Sequence, residues 1–217
     1  MRPRPAGLLV CTLYTLLLLL LLAGATSAAS EECVVRPAAK RLAIAVCLGM
    51  SPVTGACGAA MGCPDHCGVS CDLPFWDVSG MTSFRQWFKG ASDFDGDLSR
   101  WNMSAAQDVR GMFQDATNFT GTRGGGDNGG HHPGLSAWAQ TGFTPTHMAS
   151  MFEGATSFRG NVSLWNTSRA TTIARLFAGA VRFDGDVSRW EVSSVEDMTS
   201  AFENATRSAT PCSVAAL

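Results

Sequence analysis

The stretch from Phe94 to Phe119, FDGDLSRWNMSAAQDVRGMFQDATNF, returns between Phe183 and Thr206 as FDGDVSRWEVSSVEDMTSAFENAT. A chain that restates itself at a fixed interval is built from units that bury their apolar faces against one another. Aligned on tryptophan, Trp76 to Trp101 and Trp165 to Trp190 are each 25 residues apart. Trp101 to Trp138 is 37, explained by a 12-residue insertion, Thr122 to Pro133, and Trp138 to Trp165 is 27, with two extra residues near QTGFTPTH. The unit is therefore 25 residues long and occurs four times, with a partial fifth from Trp190.

Other columns keep the same register. Phe88, Phe113, Phe152, Phe177 and Phe202 form one, and Phe94, Phe119, Phe158 and Phe183 a second. Alanine recurs at 91, 116, 155, 180 and 205, and glycine at 96, 121, 160 and 185. Ser79, Ser104, Ser168 and Ser193 stand three residues after tryptophan, where a serine can cap a helix. Ser104 with Gln107 and Ser193 with Glu196 fit capping boxes. Val192, Val195, Met198 and Phe202 follow helical spacing. Gly90, Asp115, Gly154, Gly179 and Asn204 stand where a left-handed residue would end that helix. The other half of the unit, as in FDGDLSRW, reads as a turn and a short strand that pairs with its counterparts. The expected fold class is α/β: one short strand and one short helix per 25-residue repeat, stacked as a short solenoid.

The columns W-x-V-S-x-V-x-D-M-x-x-x-F-x-x-A-x-x-F-x-G-D-[LV]-S-x-W, clearest in Trp76 to Arg100 and Trp190 to Thr206, resemble the 25-residue units of BspA-like leucine-rich-repeat surface proteins. The resemblance covers Phe75 to Thr206. The unit at Trp138, with Thr141 in the serine slot, and the glycine-rich insertion depart from the pattern. The resemblance implies a leucine-rich-repeat-type solenoid used for adhesion or recognition at a cell surface, and no catalytic residues.

The flanks read as follows. Residues 1–29 carry Arg2 and Arg4, an apolar run from Leu8 to Leu22 and small residues at 26–29, the layout of a signal peptide. The rival is a retained membrane anchor, and a membrane is a partner only in that case. Without the leader, 14 Lys plus Arg face 18 Asp plus Glu, and Lys40 and Lys89 are the only lysines. Such a surface has no electrostatic attraction for nucleic acid. Residues 30–74 read as a disulfide-rich cap, 75–206 as the repeat solenoid and 207–217 as a tail. Cys33, Cys47, Cys57, Cys63, Cys67, Cys71 and Cys212 are disulfide candidates in an exported chain. The odd count leaves one free or paired with another chain. CGAAMGCPDHCGVSC lacks the paired layout of a structural zinc site.

Asn102, Asn118, Asn161, Asn166 and Asn204 head N-x-[ST] triplets, which accept glycan in a eukaryotic secretory pathway. The carboxylates at Asp93 to Asp97 and Asp184 to Asp186 do not match a calcium loop and suit turns. His131 and His132 lie in the glycine-rich insertion, a poor holder for a metal. No serine-hydrolase elbow, phosphate loop or zinc-protease helix occurs. The chain reads as a non-enzyme with no cofactor, secreted or at the cell surface, binding a protein or glycan there. Arg100, Arg189 and Glu191, exposed beside the strands, are the expected binding face, with the insertion loop. A structural wall or surface-layer glycoprotein is the alternative, and a metal-dependent secreted hydrolase the remote one.

Overall fold

The computed structural model describes residues 47–48, 52–54, 73–123 and 134–205, all within the unit Val34–Leu217. The leader, Cys33, Cys57, Cys63, Cys67, Cys71, Cys212, His131, His132 and the tail lie outside the described residues.

The repeats stack. Isolated parallel bridges join Ser83 to Asp108, Asp108 to His147, His147 to Thr172 and Thr172 to Asp197. The second and third units are offset by 39 residues where the others are offset by 25, so the insertion and the two extra residues leave the register intact. From each unit four alternate amides donate to carbonyls of the next. Phe84, Gln86, Phe88 and Gly90 donate to Asp108, Arg110, Met112 and Gln114, at 2.7–3.0 Å. The same set recurs from Val109, Gly111, Phe113 and Asp115, from Met148, Ser150, Phe152 and Gly154, and from Ile173, Arg175, Phe177 and Gly179.

The expected strand-and-helix unit is overturned. Among the described residues there is no β-strand. Helical structure is confined to Cys47 and Leu48 and to two 3-10 segments, Leu73–Phe75 and Gly134–Thr141. Each unit is instead a coil of consecutive turns. The physical reason lies in the backbone ten residues after tryptophan, or twelve in the lengthened unit at Trp138. Gln86, Gly111, Ser150, Arg175 and Ser200 all have φ between 54° and 58°. A left-handed residue in mid-segment breaks an α-helix. The intervening amides of Trp87, Lys89 and Ala91 close turns three residues back, onto Phe84, Gln86 and Phe88. The alternate amides are thereby freed for the neighbouring coil. A non-glycine residue pays about 1–2 kcal/mol for this conformation. Four backbone hydrogen bonds at about 0.5–1.5 kcal/mol each offset it at every interface.

The capping prediction fails in the same place. The serine is not the acceptor: its amide donates to the side chain following tryptophan, Ser79 to Asp77, Ser104 to Asn102 and Ser168 to Asn166, at 3.0–3.1 Å. Gln107 and Glu196, expected to close capping boxes, donate their amides across the stack to Thr82 and Thr171. The segment read as a strand is likewise taken by turns. Ser99, Ser163 and Ser188 donate to Asp97, Asn161 and Asp186, and Trp101, Trp165 and Trp190 close turns onto Leu98, Val162 and Val187. Asp, Asn and Ser offer the chain these local bonds in place of a ladder. The pairing between units therefore runs through the half expected to be helical.

The core is a set of aromatic files. Phe88, Phe113, Phe152, Phe177 and Phe202 stack with centroids 5.2–5.6 Å apart, and Phe94, Phe119, Phe158 and Phe183 at 5.8–6.2 Å. Each tryptophan bridges to the preceding unit: the indole N–H of Trp101, Trp138, Trp165 and Trp190 donates to the carbonyl of Leu73, Leu98, Leu135 and Val162. This fixes why an apolar residue precedes Ser and Trp in each unit, since it packs in the core while its carbonyl holds the next indole. Trp138→Phe keeps a smaller aromatic ring in the core but leaves the Leu98 carbonyl without its donor. The expected loss is about 1–3 kcal/mol, read from the urea midpoint.

Candidate functional site

With the stacked aromatic files inside, the residues flanking each tryptophan form the rows of a candidate surface. The position immediately before it is occupied by Phe75, Arg100, Ala137, Leu164 and Arg189, and the one after it by Asp77, Asn102, Ala139, Asn166 and Glu191. Tryptophan points inward, so its neighbours point outward. Phe75 is 47% and Leu164 56% exposed. Arg100, Arg189 and Glu191, the residues predicted from sequence, are all exposed in these two rows. Arg100 and Arg189 share a row but stand three units apart, so they do not form one cluster.

At the first unit a shallow groove of about 280 Å³ is lined by Pro74, Phe75, Trp76, Asp77, Val78, Arg100 and Asn102. The Arg100 guanidinium carbon lies 4.9 Å from the Phe75 ring centre, a cation–π contact of about 0.5–1 kcal/mol at an exposed site. Sequence reasoning missed Phe75 and Leu164 as surface residues. Their signal was the mixed character of the column before tryptophan, which also holds Arg100 and Arg189.

A second polar edge follows the paired segments. Asp108 binds Arg110 at 2.7 Å, Glu153 binds Arg175 at 2.6 Å, and Gln114 donates to Glu153 at 3.1 Å. Burial opposes the charge on Asp108, but hydrogen bonds from Arg110 outweigh it and hold the carboxyl below its ordinary 3.8. At Glu153 burial is likewise outweighed, by hydrogen bonds from Arg175 and Ser150, and the carboxyl sits below 4.5. Both folded values are depressed, so the unfolded chain takes up protons first. Their stabilisation is complete above 4.5 and 3.8 and is lost as pH falls through the lower folded values. Thermal melts from pH 7 into acid should fall below that range, and Glu153→Gln should flatten the drop.

All five sequon asparagines are exposed. Asn102, Asn161 and Asn166 accept the amide of the serine two residues on. Thr120, the hydroxyl partner of Asn118, donates to Asp95 at 2.7 Å. Asn204 has φ 58°. Cys47 is fully buried and disulfide-bonded. In the first turn considered for calcium, Asp95 is bound to Arg123 at 2.6 Å. Among the described residues no group of three His, Cys, Asp or Glu side chains is placed to hold a metal.

A stack of short coils with a buried aromatic interior and its variable residues in outward rows defines a repeat protein. The chain belongs to the family described as Mycoplasma protein of unknown function, DUF285, whose model matches residues 69–126 and 132–214. The match is consistent with the resemblance to BspA-like surface proteins and carries no leucine-rich-repeat assignment. No curated protein and no solved structure matches the chain.

Proposed function

We propose that the protein is a BspA-like recognition protein, secreted or held at the cell surface, which binds a protein or glycan through the rows beside its tryptophans. The exposure of Phe75 and Leu164 next to a fully closed core carries this reading. Apolar side chains left in water in a regular row, interleaved with Arg100 and Arg189, are the features of a contact surface. The buried columns fix the scaffold and leave these positions free to vary from unit to unit, which is how repeat proteins acquire a binding face. The full chain on an array of surface proteins and glycans should give saturable binding. Leu164→Asp and Arg100→Glu should weaken it without moving the melting temperature. Binding that neither variant alters would remove the rows from the reading.

The exposure of all five sequon asparagines favours a second reading, a surface-layer glycoprotein with no specific ligand. Heavy glycosylation of Asn102 would fill the groove beside Phe75 and Arg100. Mass analysis of the protein from its native source separates the two: an occupied Asn102 with no array binding supports the structural role.

A further inference from the structure

The first coil is covered on the side where no tryptophan unit precedes it. Phe84, Phe88 and Phe94 are fully buried there. Part of the cover comes from a segment that carries none of the repeat columns. The Asp95 amide donates to the Val53 carbonyl at 2.7 Å. A Cβ added to Gly96 would lie 2.7 Å from the Thr54 carbonyl oxygen and 2.5 Å from the Phe94 ring. Both contacts repeat one made inside the stack. The Arg159 amide donates to the Thr120 carbonyl at 3.0 Å, and a Cβ on Gly160 would lie 3.0 Å from the Gly121 carbonyl oxygen. Asp95 and Arg159 each follow the phenylalanine of the second file, and Gly96 and Gly160 come next. Val53 and Thr54 therefore stand where Thr120 and Gly121 stand in a preceding coil. The attachment is made by backbone, since the Val53 side chain is exposed, and no side-chain column announces it in the sequence.

Cys47 ties this segment to the core. It lies six residues before Val53, is buried in the same apolar cluster as Phe84, Phe88 and Phe94, and is disulfide-bonded. Its partner lies outside the described residues. The interior interfaces are held by sets of four alternate amides, whereas Val53 and Thr54 reproduce the turn half of a coil. A segment attached through a turn opens locally with less effort than a coil held by such a set. A covalent tether restricts how far it departs when it opens.

We propose that residues 47–54 are a redox-latched stand-in for a preceding repeat. With the Cys47 disulfide closed, the segment seals the first coil. With the disulfide reduced, the segment lifts away and uncovers Asp95, Gly96 and the Phe94 ring. The reductant is a dithiol. One of its thiolates attacks the disulfide to give a mixed disulfide, and its second thiol then displaces the remaining protein sulfur. Two electrons and two protons pass to Cys47 and its partner, and the dithiol leaves as a cyclic disulfide. The latch is shut in an oxidising compartment and open in a reducing one.

Amide hydrogen exchange of the full chain, followed by NMR before and after dithiothreitol, tests this, with alkylation of Cys47 read by mass analysis. In the oxidised protein the Asp95 and Arg159 amides should both be protected. Reduction should speed exchange at Asp95 by about tenfold or more and leave Arg159 unchanged. Gly96→Ala should expose Asp95 without any reductant, because its methyl takes the space of the Thr54 carbonyl. Gly185→Ala, where the nearest atoms all belong to the Phe183 ring, should leave Asp95 protected. An Asp95 amide that is unprotected in the oxidised protein, or that stays protected once Cys47 is reduced or in Gly96→Ala, would overturn the proposal. So would equal loss at Asp95 and Arg159, which means that reduction unfolds the whole stack, or a Cys47 that dithiothreitol leaves oxidised in the folded protein.

Discussion

Replacing Phe152 with alanine should destabilise the protein by about 3–5 kcal/mol, enough to remove much of the stability of an ordinary domain. Phe152 is fully buried in the middle of its file. Its ring centre lies 5.5 Å from Phe113, 5.6 Å from Phe177, 3.8 Å from Phe158 and 6.1 Å from Trp165. Truncation leaves a void between two coils whose spacing is fixed by backbone hydrogen bonds on both sides, so the site cannot collapse. The same change at Phe202 is the control. Phe202 is half-buried with one aromatic neighbour, Phe177 at 5.5 Å, and its loss should cost about 1–2 kcal/mol. In a stack whose stability is a sum of unit and interface terms, an interior residue weakens two interfaces and a terminal residue one. Urea denaturation of both variants reads the difference. Equal losses would mean that the units do not bury one another as the files indicate.

These files were legible in the sequence because they depend only on period and residue size. A buried slot that recurs once per unit must be filled by the same kind of side chain in each unit. Trp, Phe and Ala mark such slots whatever backbone carries them. The left-handed backbone at Gly90, Asp115, Gly154, Gly179 and Asn204 was legible for the same reason, since Gly and Asn concentrate where φ is positive. The backbone between these points was not. The position that breaks the expected helix is filled by Gln86, Gly111, Ser150, Arg175 and Ser200, which share no property. Its left-handed conformation is imposed by the bonds that the flanking amides make to the next coil. Spacing such as Val192, Val195, Met198 and Phe202 places side chains on one face. It does not say whether the amides between them bond four residues back or one coil onward. The exposed rows were partly legible: charged Arg100, Arg189 and Glu191 read as surface, while Phe75 and Leu164 have side chains that suit a core equally well.

Substituting Gly121 with valine should cost about 3–5 kcal/mol, combining the strain of a branched side chain at positive φ with overpacking. The glycine column after the second phenylalanine reads as a row of turn residues, yet the structure gives its members two different duties. Gly96, Gly160 and Gly185 lack positive φ and are constrained by space, since a Cβ on Gly185 would lie 2.6 Å from a Phe183 ring carbon and one on Gly160 2.9 Å from Phe158. Gly121 carries both constraints: its φ is 68°, and a Cβ there would meet the Phe158 ring of the next unit at 2.5 Å. Two controls separate the parts. Gly142→Ala sits at φ 82° with nothing within 4 Å of the added carbon, so it should show the conformational cost alone, about 1 kcal/mol. Gly185→Ala should show the steric cost alone, about 1–3 kcal/mol as Phe183 is pushed from its file. If Gly121→Val were no worse than Gly142→Ala, the ring of Phe158 would have room to move, and the close approach of backbone and aromatic file would not be what selects glycine in this column.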